Sequence, residues 1–250
     1  MIHKPIHKRG SIPIYTNKSE SEYRADKYEY FDHTLVRLLK TQYCLKEDPY
    51  FYSKQKLSAY FSTSFSSVLE VGCGTGNLIG PLAQKHPKVN FYGIDYSYQM
   101  LRCAHEIWTS SKGVELKKDQ WGFTSEKIEG KNLSNIQWGM AKASTLPFEK
   151  ESMDLIFSHF LWDRLDSPTL FLEEVYRILK KGGVLITASP NHFDKTERWS
   201  EWHSGKKYED GIEKELWRKI EKEGFELIEP IDAWGNSIHW KVIWHSHLKK

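Results

Sequence analysis

Residues 68–77 read Val-Leu-Glu-Val-Gly-Cys-Gly-Thr-Gly-Asn, and three glycines at alternate positions directly after a short apolar run leave few folds open. The run reads as a buried strand that bends sharply into a helix predicted over Leu78 to Gln84, and the missing Cβ atoms let a ligand approach the backbone. A tight strand-to-helix connection needs glycine for its own reasons, so the turn by itself does not prove a ligand. Two nucleotide motifs fail on inspection. The dinucleotide fingerprint wants glycine three residues after Gly74, where Asn77 stands, and a phosphate loop wants Lys-Ser/Thr after Gly76, where Asn77-Leu78 stands.

The same strand-helix rhythm continues along the chain. A strand over Val89 to Ile94 ends at Asp95, and Ser97 caps a helix running through Met100 and Leu101 to Trp108. Residues 112–134 are polar and read as an insertion, followed by strands over Ile136 to Met140 and Met153 to Ser158. Ser167-Pro168 opens a helix through Leu170, Leu172, Val175 and Leu179, stopped at Gly182, before a strand over Val184 to Ala188. A loop rich in Trp and His (189–210), a helix to Lys222 ended by Gly224, and strands over Phe225 to Ile231 and Ile238 to Trp244 complete the pattern; the last two suggest an antiparallel hairpin. Ahead of the glycine turn, residues 1–18 read as an irregular arm. Ser19 and Glu22 form a capping box for a helix reaching about Leu39, and a second helix covers Ser53 to Tyr60.

Composition excludes several classes. The 36 Lys and Arg face 33 Asp and Glu, a mixed-sign surface that does not support a nucleic-acid partner. The cysteines Cys44, Cys73 and Cys103 lie far apart, which argues against a disulfide framework and fits a reducing, cytoplasmic setting. No stretch approaches about 18 apolar residues, so no membrane span is expected.

Over roughly residues 66 to 190 the sequence resembles the class I S-adenosylmethionine-dependent methyltransferases, in particular the small-molecule group built on the type 11 core. Glu70, Gly72, Gly74 and Gly76 match that family's E/D-x-G-x-G-x-G turn, which with Cys73 implies contact with the amino-acid part of S-adenosyl-L-methionine. Asp95 matches the acid that holds the ribose hydroxyls, with Tyr96 and Met100 flanking the adenine. Residues 141–148 (Ala-Lys-Ala-Ser-Thr-Leu-Pro-Phe) resemble G-D-A-x-x-L-P-F, residues 152–156 resemble S-F-D-L-V, and residues 172–183 resemble L-x-E-x-x-R-V-L-K-P-G-G. One departure matters: Lys142 replaces the usual Asp that accepts from the adenine amino group, and a cation cannot accept. The contact then falls to Ala143 or Ser144. Ser158 completes the expected cofactor set. The resemblance implies an α/β, Rossmann-like, doubly wound fold with a mostly parallel seven-stranded sheet, an antiparallel C-terminal strand and N-terminal helices. Residues 1–60 form the arm and helical lid, and residues 61–250 the catalytic unit.

Methyl transfer from a sulfonium is an in-line displacement, so the protein mainly aligns the acceptor and excludes water. His159, Asp163, His192 and His203 follow predicted strands and are the candidates for base or acceptor positioning. A nucleic-acid enzyme acting on an exocyclic amine often carries Asn/Asp-Pro-Pro-aromatic at the slot occupied by Ser158-His159-Phe160-Leu161, so a small-molecule acceptor is preferred. The Trp-rich stretch 193–208 suits an aromatic or cationic acceptor, and residues 23–31 could close over the cofactor. His239, His245 and His247 lack acidic or Cys partners, and no metal site is expected. A nucleic-acid or protein methyltransferase, a Rossmann-type oxidoreductase and a non-catalytic cofactor-binding protein are the alternatives.

Overall fold

The computed structural model describes residues 2–29, 33–62, 64–116, 125–190, 216–230 and 234–250. Strands β1 (His7–Arg9) and β2 (Ile12–Ile14) precede helices α1 (Glu20–Ala25), α2 (His33–Tyr43) and α3 (Phe51–Tyr60). Next come β3 (Ser67–Val71), α4 (Ile79–Lys85), β4 (Asn90–Asp95) and α5 (Tyr98–Ala104), which runs on as a π-helical stretch over His105–Thr109. A small hairpin of β5 (Val114–Leu116) and β6 (Glu126–Ile128) occupies the polar insertion. The chain closes with β7 (Ile136–Met140), β8 (Met153–His159), α6 (Pro168–Ile178), β9 (Leu179–Ser189), β10 (Trp217–Pro230) and β11 (Ser237–Lys249).

Among the described residues nine strands share one sheet, in the order β1-β2-β7-β4-β3-β8-β9-β11-β10. The expected seven are the stretch from β7 to β10, with β7, β4, β3, β8 and β9 parallel and the β10–β11 hairpin antiparallel against β9. From β3 the chain adds β4 and β7 on one side, then β8 and β9 on the other. That reversal leaves a crevice beyond the carboxyl ends of the central strands.

Both faces are covered. Val68, Leu155, Phe157 and Ile186 pack into a core with Leu39 of α2, Leu57 of α3, Ile79 of α4 and Leu101 of α5. Their neighbours Leu69, Ile156 and Leu185 join Phe171, Val175 and Ile178 of α6 in a second core. Because successive strand residues face opposite layers, a strand buried on both sides carries consecutive apolar residues, as Val68-Leu69 of β3 and Leu155-Ile156-Phe157 of β8 do. No helix among the described residues is long and apolar enough to cross a membrane.

Four local expectations are corrected. Residues 1–18 are not an irregular arm throughout: β1 and β2 form a hairpin, and β2 extends the sheet by pairing Ile14 with Met140 in parallel. Ile12 and Ile14 are buried, but two apolar residues around Pro13 are too short a period to announce a strand. The capping box of Ser19 and Glu22 forms, yet its helix stops at Ala25, because Asp26 is extended and its carboxylate accepts from Tyr28 N at 3.0 Å and Lys18 Nζ at 2.6 Å. Helix α6 ends at Ile178 rather than at Gly182, which lies inside β9.

The largest difference is β10, where a helix to Lys222 was expected and a 14-residue strand from Trp217 is found. Its odd positions meet α3: Lys56 pairs with Glu221 at 2.8 Å and with Glu223, Tyr60 donates to Glu221, and Tyr52 donates to Glu223 and packs on Phe225. These contacts and the ladder to β11 override a helix-compatible pattern of alternating charge.

At the far end of β11, Lys249 is almost fully buried. Its ammonium donates to the carbonyls of Tyr176 at 2.8 Å and Leu179 at 2.7 Å, and lies 4.3 Å from the Tyr176 ring centroid. It thus satisfies carbonyls left open at the end of α6. Lys249→Met, which keeps the stem and loses the donors, is expected to cost about 1–3 kcal/mol in chemical denaturation; an unchanged midpoint would remove this role.

Candidate functional site

Beyond the carboxyl ends of β3, β4, β7 and β8 lies a cavity of about 410 Å³, within the range of small-molecule sites. Each strand delivers part of the wall: Gly72 after β3, Asp95 and Tyr96 from β4, Lys142 to Ser144 after β7, and Leu161 with residues 164–167 after β8. Helix α1 adds Glu22.

The glycine turn holds positive φ at all three positions, +74° at Gly72, +52° at Gly74 and +78° at Gly76, a region that costs an L side chain energy. Gly72 N and Cys73 N both donate to Ile94 O, at 2.7 and 3.0 Å, which ties the turn to β4. On its other side Thr75 O accepts from Tyr43 OH at 2.8 Å and Trp108 Nε1 at 3.2 Å, while Thr75 Oγ1 donates to Gln42 at 2.6 Å. A Cβ on Gly74 would meet open space, whereas one on Gly72 would come within 3.1 Å of Leu161.

Asp95 joins turn and cavity. Its Oδ2 accepts from Gly74 N and its Oδ1 from Ser97 N, each at 2.8 Å, so each oxygen retains a lone pair for a further donor. Burial pushes its carboxyl up from the ordinary value, opposed by the backbone N–H groups of Ser97 and Gly74 and, least, of Tyr96. Glu70 sits behind the turn, buried, accepting from Ile79 N at 3.2 Å at the start of α4. Burial pushes it well above the usual carboxylate range, the Ile79 N–H opposes, and the nearby Asp95 charge adds to the rise.

Of the cofactor residues expected from sequence, Gly72, Asp95, Tyr96, Lys142, Ala143 and Ser144 line this cavity. Glu70, Cys73, Gly74, Gly76, Met100 and Ser158 do not: Cys73, Met100 and Ser158 are packed inside, and Gly76 fits against Trp108 and Trp138. Sequence reasoning missed Leu161 and the segment 164–167, although their place after β8 was a usable signal, and it took Glu22 only as a helix cap. Glu22 Oε1 accepts from Tyr96 OH at 2.6 Å and pairs with Lys142 Nζ at 3.1 Å. The Tyr96 hydroxyl, then Ser19 and Lys142, hold that carboxyl below its usual range.

The end of β8 carries a backbone bend. Phe160 has φ +56°, donates its N–H to Ala188 O at 2.8 Å and packs on Trp240, which delivers Leu161 to the glycine turn. His159, one residue earlier, points away from the cavity: its Nε2 lies 3.0 Å from Ser53 Oγ and Tyr50 meets its ring edge. The surrounding protein pushes its imidazole down to about 3. Asp163 is buried in a 3-10 turn over Trp162–Arg164 and does not line the cavity. His192 and His203, with Trp199 and Trp202, lie outside the described residues. Among the described residues no group of three His, Cys, Asp or Glu side chains is placed to hold a metal ion.

A parallel sheet with a glycine turn after one central strand and an acid ending the next defines a Rossmann-like domain that takes a nucleoside-bearing ligand. Residues 69–187 match the family described as "Methyltransferase domain". That match takes in just under half of the chain, and over this core the chain is similar to methyltransferase domains. Over 120 residues it is 32% identical to a malonyl-[acyl-carrier protein] O-methyltransferase of Marinomonas sp. (strain MWYL1), covering 48% of this chain and 36% of that protein. Over 154 residues it is 27% identical to the tRNA N(3)-methylcytidine methyltransferase Mettl2 of Drosophila melanogaster, covering 58% and 40%. The chain therefore spans well under two thirds of the length of these relatives. A solved S-adenosylmethionine-dependent methyltransferase from Aquifex aeolicus shares the fold, with a TM-score of 0.52 at 21% identity over 87% of this chain and 98% of that one. The cofactor of such a domain is S-adenosylmethionine.

Proposed function

We propose that this chain is a methyltransferase that binds S-adenosylmethionine in the cavity beyond β3, β4, β7 and β8 and methylates a small-molecule acceptor. The observation that carries the reading is Asp95, fixed by Gly74 N and Ser97 N with a lone pair left on each oxygen, an acceptor pair matched to two vicinal hydroxyls. The bare backbone of Gly72 and the open side of Gly74 take the methionine end, Tyr96 and Leu161 border the base, and Ala143 and Ser144 offer its polar contacts. Helix α1, through Glu22, forms part of a lid over the cavity.

The bound sulfonium supplies its own leaving group, so this chain's residues are left to orient the acceptor and exclude water. With an imidazole at about 3, His159 is neutral at physiological pH and a weak base; its role is to position α3 through Ser53. The pH profile of kcat/KM is then expected to show no limb between about 5 and 8 that disappears in His159→Asn. Such a limb would restore His159 as the base.

Likeness to a tRNA methyltransferase keeps a nucleic-acid acceptor as the second reading. Incubation with methyl-labelled S-adenosylmethionine and a cell extract, followed by separation of small molecules from RNA and protein, decides between them. Label in the small-molecule fraction supports the proposal, and label in RNA replaces it.

A further inference from the structure

Where the cavity meets Tyr96, Lys142 and Ala143, a nucleoside held by Asp95 presents the edge of its base, and the hydrogen-bonding capacity of the side chains there can be counted. An ionised carboxylate has about four lone-pair sites. Those of Glu22 are taken: Oε2 accepts from Ser19 N and Ser19 Oγ, each at 2.7 Å, and Oε1 accepts from Tyr96 OH at 2.6 Å and faces Lys142 Nζ at 3.1 Å. The Tyr96 hydroxyl has spent its one hydrogen on Glu22. Ser144 can donate or accept and biases neither way. Lys142 differs: its ammonium has three N–H groups, one of them directed to Glu22, with the Tyr96 ring centroid 5.5 Å away. Among Glu22, Tyr96, Ser144 and Lys142, the charged group with capacity to spare is therefore a donor, tethered by a saturated carboxylate.

We propose that Lys142 is a specificity residue that reads the cofactor's base by donating to an acceptor on its edge, so that the site tolerates exchange of the 6-amino group for an oxo group. The inference rests on the cofactor reading above. Adenine offers ring nitrogens as acceptors and hypoxanthine offers its oxo oxygen, so either base satisfies an ammonium. A site that relied on accepting from the amino group would instead leave a buried acceptor unpaired with the oxo base.

Calorimetric titration with S-adenosylhomocysteine and its deaminated counterpart S-inosylhomocysteine tests this without turnover. The unaltered chain is expected to bind the two with dissociation constants within about threefold of each other. Lys142→Asp, combined with Glu22→Gln to avoid a like-charge pair, should come to favour the adenine form by about tenfold or more. Lys142→Met should weaken both by a similar factor. A preference of the unaltered chain for adenine above about tenfold, or a Lys142→Met variant binding both ligands as before, overturns the proposal alone. If neither ligand binds the unaltered chain, the cofactor reading falls and this inference with it.

Discussion

Asp95→Ala is expected to weaken S-adenosylhomocysteine binding by about a hundredfold or more, since two charge-assisted hydrogen bonds at roughly 1.5–3 kcal/mol each are lost. The substitution also strips Gly74 N and Ser97 N of their acceptor, loosening the turn that the proposed function assigns to the methionine end. Asp95→Asn separates these effects in part: its single carbonyl oxygen can serve one N–H, while its amide nitrogen faces the other as a second donor. Affinity should again fall, by a smaller factor. The pH dependence has a definite sign. Burial raises the Asp95 carboxyl above the ordinary aspartate value, and the ribose needs the ionised form. Binding should therefore weaken on acidification through that raised value, starting at a higher pH than a free aspartate would give, and the limb should be missing from Asp95→Asn. Stability of the ligand-free chain runs the other way. A carboxyl whose folded value is raised contributes most below its unfolded value and loses that contribution as pH rises through the folded one. Calorimetric titration across pH checks both; affinity unaffected by Asp95→Ala would end the proposed function.

The parts of this fold visible in the sequence are those whose signals are local. Ser97 and Ser167-Pro168 sit where they cap α5 and α6, accepting from Met100 N and Leu170 N at 3.5 and 3.4 Å, and the apolar runs of β3 and β8 announce strands buried on both faces. Position at the end of a strand also told which side Gly72 and Asp95 occupy, because the chain's direction in a parallel sheet fixes the ligand edge. What stayed hidden depends on contacts distant in the chain. Nothing near Glu221 and Glu223 reveals Lys56 and Tyr60, whose helix draws those carboxylates into a strand. Glu22 announced itself as a cap and also reaches Tyr96 and Lys142. Glu70 shows the converse: the motif suggested a ligand contact, while the structure uses the carboxylate to hold the first turn of α4 behind the glycines. A motif's spacing can thus serve the shape of a turn rather than contact with a ligand.

Alanine at Gly76 and alanine at Gly74 are expected to fail differently, and the contrast separates fold from binding within one turn. At Gly76 the cost has two sources. A φ of +78° strains an L residue by about 1–2 kcal/mol. The new Cβ would also stand 2.6 Å from Trp138 and 2.9 Å from Trp108, an overpacking worth about 1–3 kcal/mol. Neither indole has an easy retreat, because Trp108 Nε1 is bonded to Thr75 O and Tyr43 OH, and Trp138 Nε1 to Thr109 Oγ1 at 3.1 Å. Together these predict a loss of about 2–5 kcal/mol and a Tm lowered by roughly 5–15 °C. Gly74 shares the strain, with φ +52°, but its Cβ would meet nothing within 4 Å. Gly74→Ala should therefore stay folded, with a Tm within about 5 °C of the unaltered chain. Its methyl group instead occupies the open side of the turn, which the proposed function assigns to the methionine end, so the rise in Tm caused by S-adenosylhomocysteine should shrink or vanish. Thermal denaturation of both variants with and without the ligand reads both effects. A full ligand-induced rise in Gly74→Ala would move the methionine end away from this turn, and an unchanged Tm in Gly76→Ala would mean that the two tryptophans yield where their hydrogen bonds say they should not.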